Sequence, residues 1–427
     1  MKRFLALTSA SLLLVAGVAC SQVADTLDVV NPLSEVKPVE AKVVTPGSSR
    51  VDKTDRIAFG THSNGVGLDY MRMQLDSEPD ANLILSPLNL SIAMNILADA
   101  TGGSSQDQVL ALAAPDYFKS KQRQDFVTSY IHELETSGER RENESIDIAS
   151  SLWVKENFNI RQTYVDLFAQ RYKGTAYEVD MLDPKTAAAM QAWIKDNTGG
   201  MIESDYEPSP ETVTTLMTAL FFKGTWSKEF APEQTEAQDF YLENGQAVQT
   251  DMMHKTLTAR YYEHPDFQWV QLYYGNGSFV LLVPTHGTVS DLLKDLDQKT
   301  LQTAMAEASS YDVELTLPKF KHKSKLTLQE MMETLGVTDV FQLKNADFSG
   351  LSEEPNLVLS NVLHDAAIDL HEEGTTAAAV TIMEVETTSM PMEMPKVVVT
   401  ADKPFIYFIY DPWGSQMMFS GVYVKPE

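Results

Sequence analysis

The chain is 427 residues long, 43% hydrophobic and strongly acidic, with 60 Asp and Glu against 33 Lys and Arg and a net charge of −27. That charge excludes a nucleic-acid binder, which needs a basic footprint. It also argues against an electrostatic membrane-surface protein and against a polyanionic, heparin-type activator. The single cysteine, Cys20, excludes an intrachain disulfide, so the fold must be held by core packing alone.

Lys2 and Arg3 precede an apolar run, Phe4 to Val18, and the stretch ends Gly17-Val18-Ala19-Cys20-Ser21. Too short for a comfortable membrane span, residues 1–20 read as a secretory signal peptide. A lone cysteine at its end resembles a bacterial lipoprotein, in which Cys20 would carry the lipid. The alternative is a conventional signal peptide with an incidental cysteine. The expected location is the outer membrane or cell surface, with a periplasmic or secreted protein as the alternative. Residues 21–55 contain Pro32, Pro38, Pro46 and Gly47-Ser48-Ser49 and read as a mostly disordered tether. Residues 56–427 are expected to form one domain.

Within that domain the patterning predicts a helix over 56–76, a short strand over 82–86 stopped at Ser86-Pro87, and helices over 90–100, 104–113 and 117–137. Alternation predicts a strand over 145–154, followed by a helix over 161–172, a strand over 174–181 and a helix over 184–197 that closes at Gly199-Gly200. An apolar, Thr-rich strand is expected over 212–222. Residues 240–274 carry several short alternating runs. Then come an apolar strand over 279–283, a helix over 289–308, a strand over 313–320, a helix over 326–335 and an alternating run over 356–370. Phe405–Tyr410 and Met417–Val424 are terminal strands. Helices gather in the first half, strands in the second, and no period repeats, which indicates an α+β fold.

Before those last strands lies a stretch of different character, Glu372 to Pro391. Read with period 2, one face carries Thr375, Ala377, Ala379, Thr381, Met383, Val385 and Thr387, with no charge. The other carries Thr376, Ala378, Val380, Ile382, Glu384, Glu386 and Thr388. The first face can be buried without stranding a carboxylate.

Catalytic constellations are missing. His132-Glu133 and His371-Glu372 lack the second His that makes a zinc-binding helix face. There is no Gly-x-Ser-x-Gly elbow, and Gly102-Gly103-Ser104-Ser105 lacks the Lys of a phosphate-binding loop. The chain does not read as an enzyme, and no cofactor or metal is expected.

A set of local motifs, taken in order, resembles the serpin family. They are Asn82-Leu83-Ile84-Leu85-Ser86-Pro87-Leu88-Asn89, Ala100-Thr101-Gly102-Gly103-Ser104, Thr198-Gly199-Gly200-Met201-Ile202, Phe221-Phe222-Lys223-Gly224-Thr225-Trp226 with Phe230, Leu317-Pro318-Lys319-Phe320, and Val399 through Asp402-Lys403-Pro404-Phe405 to Ile409. The chain departs from the family pattern at Asn89, where Ser is usual, and at Ser150 and Thr218, where Asn is common. The resemblance covers about Arg56 to Glu427. It implies a large mixed β-sheet with additional sheets, eight or nine helices and an exposed reactive-centre loop.

On that resemblance Glu372, Glu373, Gly374, Thr375, Thr376, Ala377, Ala378 and Ala379 are the loop's hinge, and the family spacing places the reactive bond at Thr388-Ser389. Glu384, Val385, Glu386, Thr387 and Met390 flank it as specificity residues. The implied mechanism is a kinetic trap: a protease attacks the loop, forms an acyl-enzyme, and is disabled when the cut loop inserts into the main sheet as a strand. A small Thr at the bond suits elastase-like or subtilisin-like proteases, with papain-like cysteine proteases as a further class. His364 and Trp226 resemble residues at the top of the big sheet, where insertion begins; ordinary core packing is the competing account. The implied partners are proteases held in a covalent acyl complex by a monomer that meets the membrane only through its lipid. A non-inhibitory serpin, serving as a binding or chaperone-like surface protein, is the alternative.

Overall fold

Ser86-Pro87 shows how local chemistry sets the elements. The Ser86 hydroxyl accepts from the Asn89 N–H, and Pro87 occupies the first turn, where a missing N–H costs nothing, so a strand stops and a helix starts there. The computed structural model describes residues 31–43, 50–116, 118, 120–138, 144–360, 362–375 and 394–427. The first half of the chain gives α1 (Lys53–Ser77), β1 (Leu83–Leu85), α2 (Pro87–Ala100), α3 (Gly103–Ala113), α4 (Ser120–Gly138), β2 (Ser145–Lys155), α5 (Gln162–Tyr172), β3 (Thr175–Val179), α6 (Pro184–Asn197) and β4 (Thr214–Thr225). The second gives β5 (Thr235–Tyr241), β6 (Ala247–Glu263), β7 (Phe267–Tyr273), β8 (Ser278–Pro284), α7 (Val289–Asp295), α8 (Gln298–Glu307), β9 (Ser309–Pro318), β10 (Phe320–Thr327), α9 (Gln329–Thr334), β11 (Leu363–His371), β12 (Gly374–Thr375), β13 (Lys396–Thr400), β14 (Phe405–Tyr410) and β15 (Met417–Tyr423).

Two sheets organise these elements. A six-stranded sheet runs β10-β11-β12-β4-β2-β3, antiparallel except for the parallel β2–β3 pair. A nine-stranded sheet runs β1-β15-β14-β8-β7-β6-β9-β13, with β5 added on β6. Apolar β8, β14 and β15, buried along their whole lengths, form its centre. The main core fills the space between the sheets and α2. A smaller cluster, including Trp153, Met190, Trp193, Met217 and Ala219, sits between α6 and the other face of the six-stranded sheet.

Four expectations change. Residues 320–327 form a strand rather than leading into a helix: Phe320, His322, Ser324 and Leu326 are buried while Lys321, Lys323, Lys325 and Thr327 are exposed, a strict period of 2. The helix expected over 326–335 shrinks to Gln329–Thr334. The helix over 289–308 divides, because Asp297 caps a second helix by accepting from the Thr300 N–H. Part of the expected tether is docked. Residues 32–35 make a 3-10 turn, Leu33 and Val36 pack on the small cluster, and the Val39 N–H donates to the Ala176 carbonyl at the free edge of β3. Apolar side chains at this spacing have a surface to cover, which composition alone does not reveal. Cys20 and the signal-peptide residues lie outside the described residues.

Candidate functional site: a two-residue strand at the mouth of a split sheet

β4 and β11 are neighbours in the six-stranded sheet only through β12. Gly374 and Thr375 pair with His371 and Leu370 on one side and with Thr225 and Gly224 on the other. Backbone geometry explains the glycine. Gly374 has φ 151°, and a Cβ there would collide with the Gly224 carbonyl oxygen.

The next residue, Thr375, is 3% exposed, and its Oγ1 lies 2.6 Å from the Tyr274 hydroxyl beneath the sheet. Tyr274 is fully buried, which pushes its phenol well above its ordinary range. Its ring stacks on Trp226 at 4.3 Å. Trp226 in turn holds the chain entering β12: its backbone N–H donates to the Glu373 carbonyl and its Nε1 to the His371 carbonyl, both at 2.9 Å. The Phe230 N–H donates to the Glu372 carbonyl.

The Glu372 side chain completes this corner. Its carboxylate accepts from Thr235 Oγ1 at 2.8 Å and pairs with Lys319 Nζ at 3.1 Å. Desolvation is the largest influence on that carboxyl and acts upward. The hydrogen bonds from its own backbone, Thr235 and Lys319 together outweigh it and hold the group below the usual carboxylate range. Lys319 lies in the Leu317–Phe320 motif, but nothing local marked its partner; Thr235 carried no sequence signal at all.

Below Thr375 the two banks of the sheet separate. Among the described residues no ladder joins β4 to β11, and a cavity of about 390 Å³ opens between them. It is walled by residues 212–219 on one bank and by 356–360, 362, 363 and 365 on the other, and floored by Met94 and Leu97 of α2.

His364 is not at the top of the sheet. It lies six residues before Leu370, about 20 Å along the strand, where its Nε2 accepts the Ser86 N–H at 2.9 Å. Burial drives its imidazole down to about 4, so the ring is neutral and Nε2 is free to accept. The three departures in sequence meet at this level. Ser150 stands opposite Thr218 in the β2–β4 ladder, and Asn89 Nδ2 donates to the Thr218 carbonyl at 3.3 Å. The amide usual on the strands is thus carried by the helix instead.

Of the hinge residues, the structure brings Glu372, Glu373, Gly374 and Thr375 together with Trp226. Thr376, Ala377, Ala378 and Ala379 lie outside the described residues. So do Glu384, Val385, Glu386, Thr387, Thr388, Ser389 and Met390.

Comparison with known proteins accounts for this architecture. The family model described as Serpin (serine protease inhibitor) matches residues 61–426, and the chain belongs to the serpin family. Among curated relatives it is 30% identical to Iripin-8 of Ixodes ricinus over 383 residues, covering 86% of this chain and 93% of the relative. Among solved structures, the thermophilic serpin tengpin in its native state superposes with a TM-score of 0.78 at 24% identity, covering 92% of this chain and 99% of that one. Thyroxine-binding globulin in complex with thyroxine superposes with a TM-score of 0.74 at 22% identity, covering 86% and 99%. The serpin fold therefore accommodates a thyroxine-binding protein as well as protease inhibitors, and such proteins are in general not enzymes.

Proposed function

We propose that the chain is an inhibitory serpin that traps proteases by loop insertion. One observation carries the reading: Gly374 and Thr375 already sit in register between β4 and β11, and further down, beyond Ala219 and Asp365, a cavity separates the same two banks that an inserted segment would join. Continuing that register, alternation would bury the uncharged face from Thr375 to Thr387 and leave Glu384 and Glu386 outward, so insertion would strand no carboxylate. Small Thr and Ala side chains at 375–379 offer little steric resistance. Among the described residues no ladder joins β4 to β11 there, so an inserted strand gains ladder hydrogen bonds on both sides, successive residues bonding alternately to one bank and the other. Insertion after cleavage would then outrun hydrolysis of the acyl-enzyme.

In this reading the cut falls at Thr388-Ser389, and the targets are elastase-like or subtilisin-like. The protein is exported and held at the cell surface through a lipid on Cys20, acting as a monomer. The test mixes the protein, without residues 1–19, with elastase-, subtilisin-, trypsin- and papain-type proteases. A denaturing gel and mass spectrometry of the released C-terminal fragment follow. A complex that survives denaturant, with a fragment starting at Ser389, supports trap and bond together. Loop cleavage without a complex from any protease would refute inhibition and leave a carrier or chaperone-like role on the same fold.

A further inference from the structure

The connector from α6 to β4, residues 198–213, crosses the open face of the split sheet. It is pinned to the α6–β4 bank at two points. Ile202 is buried and its N–H donates to Thr198 Oγ1 at 3.3 Å. Tyr206 shares a hydrogen bond of 3.1 Å with Thr215 Oγ1, and its carbonyl accepts from Gln191 Nε2 at 3.2 Å. Between those pins Asp205 reaches the opposite bank. Its Oδ1 lies 2.8 Å from Lys325 Nζ on β10, which is separated from β4 by β11 and β12 in the strand order. Lys325 stands opposite Asp365 in the β10–β11 ladder, and Asp365 lines the cavity. The ion pair therefore spans the slot from the front, five residues below the hinge, or about 17 Å along the strand.

We propose that Asp205 and Lys325 form a latch across the insertion path, and that opening it is a step in seating the loop. The proposal rests on the reading of this chain as an insertion-dependent inhibitor. A strand entering between β4 and β11 needs about 4.8 Å from each neighbour and room above for its front-facing side chains. The connector lies across that room, and it cannot rise while Asp205 holds β10. Both partners are partly exposed, with side-chain exposures of 89% and 42%, so the latch is weak and adjustable rather than a block.

Two experiments test it. Asp205→Asn and Lys325→Met, singly and together, are assayed for the rate of denaturant-resistant complex formation with a trapped elastase. Each single variant should react about two- to five-fold faster at low ionic strength, the range of an exposed pair. The double variant should gain nothing further, and the advantage should fade in high salt. Second, Asp205→Cys with Lys325→Cys, in a Cys20→Ser background, is joined by a short bis-maleimide. The joined protein should be cleaved without trapping protease and without the rise in thermal midpoint that follows insertion, whereas the unjoined protein should do both. Equal trapping by joined and unjoined protein overturns the latch, as does a rate change that ignores salt. If the unjoined protein is cleaved and neither traps protease nor gains thermal stability, the insertion reading itself has failed and the latch falls with it.

Discussion

Replacing Thr375 by arginine separates the two things this hinge does, supporting the unreacted fold and entering the sheet. Thr375 is 3% exposed, against a fully buried Tyr274. In an inserted loop a guanidinium at this position would be buried against the phenol of Tyr274. An unpaired buried charge costs several kcal/mol even after relaxation. At about 1.4 kcal/mol per decade of rate, insertion should slow by about 10²- to 10³-fold. Before cleavage the Arg side chain can swing out, giving up the β12 ladder and leaving the Tyr274 hydroxyl without Thr375, at a cost of about 1–3 kcal/mol. Thr375→Arg should therefore remain folded, with a thermal midpoint lowered by a few degrees, yet behave as a plain substrate. The assay is a denaturing gel against a trapped protease, scored as complex versus cleaved protein, with Thr375→Ser as the control that keeps the hydroxyl. An arginine variant giving as much complex as the wild type would refute the claim that this position must be buried for trapping.

Glu372→Gln keeps the hydrogen bond from Thr235 and removes the charge facing Lys319. It should lower stability by about 1–2 kcal/mol, read by thermal or urea unfolding; an unchanged midpoint would show that this corner is held by backbone bonds alone. Leu33→Ala with Val36→Ala should loosen residues 31–43 from the α6 cluster and cost about 1–2 kcal/mol, since both side chains are only partly buried. Faster proteolysis at 31–43 would accompany it, and an unchanged cleavage rate would contradict the docking. His364 titrates at about 4 in the fold, below its ordinary 6.5. The unfolded chain therefore takes up the proton first. Stability is complete above pH 6.5, falls as pH drops towards 4 by about 3 kcal/mol, and then levels. His322, lowered to about 3 by burial, shares the upper part of that window. His364→Gln should accordingly flatten the pH dependence in part, and a slope identical to wild type would exclude His364 as a source.

What was legible in sequence divides by range. Local chemistry announced Ser86-Pro87 as a strand stop and helix start, and Thr375 as the first member of a buryable face, whereas Gly374 became a hinge glycine only through the family resemblance. The first two each depend on a few adjacent residues. The family resemblance supplied the large mixed sheet with its additional sheets, which no local pattern contains; the strand order came only from the structure. The lysine row of β10 was equally local and was passed over, because its apolar members are spaced by charged residues that also suit a helix surface. Lys319 with Glu372 and Asp205 with Lys325 were illegible for a different reason. Each joins residues far apart in the chain, and although Lys319 and Glu372 each sit in a motif, no motif pairs them. The height of His364 was placed on resemblance alone, and its own sequence could not correct it: a β-strand repeats its chemistry every two residues, so sequence gives a face and not a distance from the end. Docking of Leu33 and Val36 depends on an apolar surface that exists only once α6 has packed on the sheet.

The arrangement also indicates where resistance to insertion resides. At the top of the sheet the hinge already pairs with both banks, so entry of Gly374 and Thr375 adds little further barrier. Halfway down, the first turn of α2 grips both banks from behind: the Ser86 N–H bonds His364 on β11, and Asn89, three residues on, bonds the Thr218 carbonyl on β4. From the front, Asp205 joins the connector to Lys325 at the same level. An incoming strand must pass between these grips. Changes at the hinge should then act on whether insertion succeeds, with modest effects on the unreacted protein. Changes at Asn89, His364 or Asp205 should act on both at once and with opposite sign, weakening the unreacted form while easing the strand's passage. The transfer of the amide from the strands to Asn89 fits this division. It keeps a grip on β4 that belongs to the fixed helix, so the strands can part without taking the donor with them.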